Sequence, residues 1–134
     1  MIAVDRLVGV DDTIASALFN VGIFTTRDLL KRASTRDGRR AISIVTGIDE
    51  ERILEWVHMA DLMRINGIGP LYAKLLIDAN VRTIKELAHS NDRDLYLRVA
   101  HANRRLNLVK KIPTILQIRD WIRQARRMSS TVMV

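Results

Sequence analysis

Arg64-Ile65-Asn66-Gly67-Ile68-Gly69-Pro70-Leu71-Tyr72-Ala73-Lys74-Leu75-Leu76 opens a 25-residue stretch that ends at Ala88 and has a gap-free counterpart from Arg6 to Leu30. The copies lie 58 positions apart and share Arg6/Arg64, Gly9/Gly67, Ala15/Ala73, Leu18/Leu76, Thr25/Thr83 and Leu29/Leu87. Six identities in 25 is a weak match by letter, yet the physical pattern is kept. Each copy has an apolar residue, a glycine turn and an apolar stripe, formed by Ile14, Ala17, Leu18 and Val21 or by Tyr72, Leu75, Leu76 and Ala79. Spacing at i, i+3, i+4 and i+7 puts four side chains on one helical face. Gly22 or Asn80 then supplies a residue that tolerates the left-handed conformation at a helix end. Three residues on, Thr25 or Thr83 caps the next helix, and Thr83-Ile84-Lys85-Glu86 reads as a capping box. Two short helices joined by a tight turn, twice over, are expected.

These residues resemble the helix-hairpin-helix motif, which runs apolar-x-Gly-apolar-Gly, then a helix with a small residue and a leucine, then a short turn and a threonine. In the second copy Ile65, Gly67, Ile68, Gly69, Ala73, Leu76, Val81, Thr83 and Leu87 stand where that pattern wants them. The chain from roughly residue 6 to 127 is also similar to an uncharacterised bacterial family known only as a domain of unknown function, in which two such units are joined by a helical pair. The resemblance implies an all-α fold, with two tandem helix-hairpin-helix units packed as a pseudosymmetric, SAM-like helical domain. It implies little about activity.

At 134 residues the chain has the length of one domain and buries roughly two thirds of its unfolded surface. A hydrophobic fraction of 48% with two Pro and six Gly belongs to a folded helical protein. No run approaches the ~18 apolar residues of a membrane span, and no signal-peptide pattern opens the chain, so a cytoplasmic location is expected. Zero cysteines exclude disulfides, thiol catalysis and cysteine-ligated zinc. The net charge of +7 is unevenly placed. Met1 to Leu97 carries 13 Lys/Arg against 14 Asp/Glu, while Arg98 to Val134 carries 9 against 1. A basic sector on an otherwise balanced chain points to a polyanion or to an acidic protein surface, with a solvated face as the alternative.

Helix punctuation divides the chain into two halves of four helices, residues 6–62 and 63–127, within one domain over 1–127. Asp11 or Asp12, Thr25, Thr35 and Asp49 open the first four helices, the third ending at Gly47 and the fourth reaching about Arg64. Ile53, Trp56, Val57, Ala60 and Met63 form the core stripe of the fourth. Pro70 stands at the first position of the fifth, where its missing donor costs nothing. Thr83, Asn91 or Asp92, and Pro113 open the rest. Glu55-Trp56-Val57 and Asp120-Trp121-Ile122 correspond at a spacing of 65 rather than 58, so about seven residues are inserted in the second half, with Asn103 to Lys111 the expected place. Residues 128–134 carry no helix signal and are expected to fray.

Glycines let a hairpin backbone approach a phosphate, and the free amides of the following helix point at its oxygens while the helix dipole adds partial positive charge. The candidates are the backbone of Gly67, Ile68 and Gly69, with Lys74 one turn on. A tight helix connection without a ligand is the alternative. In the first copy, Gly9-Val10-Asp11-Asp12 places two carboxylates where a phosphate would sit, so that hairpin reads as an ordinary N-cap, structural or protein-facing. In the last helix Arg119, Arg123 and Arg126 recur on one face with Arg127 adjacent, while Ile115, Ile118, Ile122 and Ala125 form the apolar stripe. Arg104, Arg105, Lys110 and Lys111 lie just upstream and are candidates for the same patch. His58, His89 and His101 share no ligand-like spacing, so no catalytic residue, metal site or cofactor is expected.

The sequence therefore predicts a non-enzymatic protein that binds nucleic acid, duplex DNA first, through hairpin amides and a basic C-terminal helix. It would be nucleoid-associated if duplex DNA is the ligand. The rival reading is a protein-interaction adaptor whose basic helix docks an acidic partner.

Overall fold

A computed structural model of the chain describes residues 1–129 and 131–133. Among the described residues it is all helical, without a strand. A 3-10 turn at Val4–Arg6 precedes α1 (Asp12–Asn20), α2 (Thr26–Ala33), α3 (Arg36–Thr46), α4 (Glu50–Leu62), α5 (Pro70–Asp78), α6 (Ile84–Ala88), α7 (Asp92–Leu106) and α8 (Ile115–Ala125). The chain divides into two compact units, Met1–Asp61 with Thr131–Val134, and Leu62–Ser130. The expected division of the halves falls one residue later. Where one domain over residues 1–127 is expected, the chain divides into two units of four helices.

In the first unit, α1 starts at Asp11, whose carboxylate accepts from the Ile14 amide at 2.9 Å. It ends at Asn20 with Val21 as C-cap, and Gly22 follows with a φ of +84°, open to glycine at little cost. The chain then pairs back, Ala3 bridging Thr25, and Thr25 caps α2 with a full capping box. Asp28 closes that box by accepting from the Thr25 and Phe24 amides, both at 3.0 Å. Helix α2 packs on α3, which runs from the Thr35 cap to left-handed Gly47. Val4, Leu18, Ile23, Leu29, Ile53, Trp56 and Val57 are buried.

In the second unit, α8 packs on α6 and α7, and α5 packs on α7. Leu76, Val81, Leu87, Leu95, Val99, Ile118 and Trp121 are buried. Asn80 takes φ +67° at the end of α5, as Gly22 does after α1. The extra residues of this half are shared between α7, which has 15 residues against 11 in α3, and the segment after left-handed Asn107. Asn103 holds that segment, accepting from the Leu108 and Val109 amides and donating to the Val109 carbonyl.

Three local expectations are corrected. Pro113 does not open α8; Thr114 does, with a capping box to Gln117, so the helix begins at Ile115. Glu86 reaches back to the Arg82 amide and the Thr83 hydroxyl, one residue further than a capping box requires. The described residues after Met128 are hydrogen-bonded rather than frayed. The Ser129 carbonyl accepts from Arg64, Thr131 Oγ1 donates to Asp61, and Met133 pairs through its amide with Ser34 O and through its carbonyl with Arg39.

Candidate nucleic-acid interface

Among the described residues the start of α5 differs from every other α-helix start. Side chains of Asp11, Thr25, Thr35, Asp49, Thr83, Asn91 and Thr114 accept from first-turn amides elsewhere. Helix α5 has Gly69 as its N-cap residue, which has no side chain to do so, and its first turn holds no acid. Among the described residues the amides of Gly69, Leu71 and Tyr72 have no hydrogen-bond partner. A helix start in this state carries uncompensated donors and the positive end of the dipole.

The two hairpin glycines serve different ends. Gly67 has φ +100°, and a Cβ added there would lie 2.9 Å from Trp121 Nε1. Its glycine is dictated by backbone conformation and by the indole beneath it. Gly69 has φ −94° and ψ −173°, a conformation open to any residue, and an added Cβ would meet nothing within 4 Å. Packing therefore does not explain glycine at 69. Its effect is to keep the space before the open amides clear.

Supports for the hairpin converge from two elements. On α8, Trp121 underlies Gly67, and Gln124 accepts from the Asn66 amide at 3.0 Å and donates to the Asn66 carbonyl at 3.1 Å. Tyr72 stacks obliquely on Trp121, with centroids 5.5 Å apart, and donates its hydroxyl to the Lys111 carbonyl at 3.2 Å. That bond brings exposed Lys111 to the mouth of a groove of about 410 Å³, lined also by Gly67, Gly69, Pro70, Leu71, Tyr72 and Val109. Ile68 is buried, so only its backbone faces outward chemistry. Neither Tyr72 nor Trp121 stood among the sequence candidates. The sequence presents Trp121 only as a repeat position and Tyr72 only as part of a core stripe.

Lys74 is less free than its helical position implies. Its ammonium lies 3.6 Å from Asp78, and the side chain is only 21% exposed. Lys111 is the better-placed cation.

The basic residues do not form one patch. Arg119, Arg123 and Arg126 line a separate groove of about 340 Å³ with Ser90, Asn91, Asp92 and Ile122, on the flank of α8 away from Trp121 and Gln124. Arg119 Nε donates to Asp92 at 2.8 Å, and Arg126 Nε donates to the Ala88 carbonyl at 3.3 Å. The Arg119 guanidinium and the Arg93 amide hold the Asp92 carboxyl below its ordinary value of 3.8. Asp120 accepts from Gln124 rather than pairing with Arg123 or Arg127. Arg104 and Arg105 are exposed in the last turn of α7, about 18 Å along the helix from Asp92. Lys110 is exposed in the loop beyond them, and Arg127 follows α8, also exposed.

The first hairpin is built on a similar indole. Trp56 Nε1 donates to the Val8 carbonyl at 3.1 Å and lies under Gly9, whose φ is +95°. Its helix start is capped by Asp11, which takes the Ile14 amide, the counterpart of the Tyr72 amide left open at α5. His58 is buried, His101 is exposed, and His89 Nδ1 donates to the Lys85 carbonyl at 2.8 Å. Among the described residues no three potential metal ligands cluster, and no helix is long and apolar enough to cross a membrane.

A family described as "Domain of unknown function (DUF4332)" matches residues 9–128. The chain belongs to that family. The match spans both glycine turns and all eight helices, so the turns and their tryptophans lie inside the family domain. No curated protein and no solved structure matches the chain.

Proposed function

We propose that this protein is a non-enzymatic, tandem helix-hairpin-helix binder of nucleic acid, duplex DNA above all, that grips the phosphate backbone without choosing sequence. The observation that carries the reading is Gly69. It is a glycine that neither conformation nor packing requires, set before three open amides. A phosphate oxygen placed there receives those amides and the α5 dipole, while Lys111 and Lys110 supply mobile charge. Such contacts carry no base information, so affinity follows salt rather than sequence. The first hairpin, closed by Asp11, serves architecture.

Random duplex DNA titrated by fluorescence anisotropy over a range of salt tests this. About two phosphates neutralised by Lys110 and Lys111 give a slope of log affinity on log salt near −2. Gly69→Val should keep the fold and lose most of the binding, because its side chain fills the phosphate position. Lys110→Glu with Lys111→Glu should flatten the slope more than removal of Arg119, Arg123 and Arg126 does. Equal affinity of Gly69→Val and the unaltered protein would dismiss the hairpin as the site.

A further inference from the structure

Helix α7 carries Arg93, Leu97, Ala100 and Arg104 at i, i+4, i+7 and i+11, a single outward stripe with an apolar middle and a cation at each end. Leu97 is 61% exposed. Beside it lies a groove of about 420 Å³ lined by Arg93, Tyr96, Leu97, Thr114 and Ile115, so the start of α8 forms its other wall. Leu116, the next residue of α8, is 66% exposed. The two acids of the first turn of α7 are already engaged, Asp92 by Arg119 and Asp94 by Arg98. No carboxylate lines the groove.

We infer that the α7–α8 groove docks an acidic amphipathic helix of a partner protein. Its apolar side would lie on Leu97, Tyr96 and Ile115, and its carboxylates would meet Arg93 and Arg104. The charge pattern argues for this occupant. The cations lie about 16 Å apart along α7, three helical turns, with leucine-sized apolar surface between them. A helix laid along α7 therefore needs acids about eleven residues apart with apolar residues at i, i+3 and i+4 between them. A polyanion would meet the same arginines but would leave Leu97 and Leu116 uncovered. This surface is distinct from the α5 hairpin, so the inference does not depend on the nucleic-acid reading.

The test uses the whole chain and a capped synthetic helix of about sixteen residues with that Glu and Leu spacing, labelled for anisotropy. Three comparisons decide it. A scrambled peptide of equal composition should bind at least about tenfold more weakly. Leu97→Ser, which adds no charge and sits at an exposed position, should weaken the designed peptide about tenfold, the factor expected from uncovering one leucine. Arg93→Glu with Arg104→Glu should lose the Glu peptide and gain its Lys counterpart. Equal binding of the scrambled peptide, an unchanged Leu97→Ser, or failure of the charge swap would each overturn the proposal. Duplex DNA binding of Leu97→Ser should stay at the unaltered level, which separates this surface from the hairpin.

Discussion

Gly67 and Gly69 stand two residues apart in one turn, and they would respond to substitution in opposite ways. At Gly67 an added methyl meets the Trp121 indole, on a backbone with φ +100°. Gly67→Ala should therefore cost about 1–3 kcal/mol, as strained positions with positive φ do. Gly69→Ala should change stability by no more than about 0.5 kcal/mol, because nothing stands near its Cβ. Thermal or urea unfolding of the two variants checks this contrast, and equal losses would contradict it. Both glycines were legible in the sequence as members of one motif. Their separate causes were not, because they depend on an indole 54 positions away and on a φ value. Lys74 shows the same gap. Its helical position was readable, but the neighbouring Asp78 that holds it is a matter of rotamer and packing.

Helix starts set the character of the elements. Seven of them are closed by an Asp, Asn or Thr side chain, and most of those caps were readable from residue type alone. The exceptions have a physical cause. Pro113 is the stronger helix-opening signal in sequence and masks Thr114, yet the proline is buried before the cap rather than placed within the first turn. Sequence proximity sets Lys111 with the α8 arginines, whereas the Tyr72 hydroxyl draws its loop to α5. The carboxylates at these starts also set an acid limit. Backbone amides of Phe24 and Thr25 hold Asp28 below its ordinary 3.8, and Arg119 with the Arg93 amide does the same for Asp92. Stability from a depressed carboxyl is fully present above the unfolded value and is lost as pH falls through the lower folded value. Melting temperature should therefore hold from neutral pH down to about 5 and fall below about 4. Asp28→Asn and Asp92→Asn should lower it at neutral pH and lessen the acid-induced fall. An acid transition untouched by both variants would contradict these assignments.

For the molecule as a whole, the repeat predicted eight helices in two sets of four, and each unit holds four. The return of residues 131–133 to the first unit was not legible, because their anchors are a backbone carbonyl, the buried Asp61 carboxylate and a buried guanidinium. Arg39 is 4% exposed and donates to the carbonyls of Ala33, Ser34 and Met133. Deleting residues 131–134 removes the Met133 bonds to Arg39 and Ser34 and the Thr131 bond to Asp61. At about 0.5–1.5 kcal/mol net for each of the three, the deletion should destabilise the first unit by about 1.5–4.5 kcal/mol. Amide exchange resolved by unit would show the loss near α2 and α3, and uniform protection would contradict it. The scattered cations leave the open start of α5 as the centre of the functional account, and Gly69→Asp tests it most directly. Aspartate at this position would cap α5 from within, raising stability by a few tenths of a kcal/mol while occupying the phosphate position with negative charge. The account predicts an unchanged or higher melting temperature together with at least a tenfold loss of affinity for random duplex DNA, roughly 1.4 kcal/mol. A variant that melts as predicted yet binds DNA as tightly as the unaltered protein would contradict it.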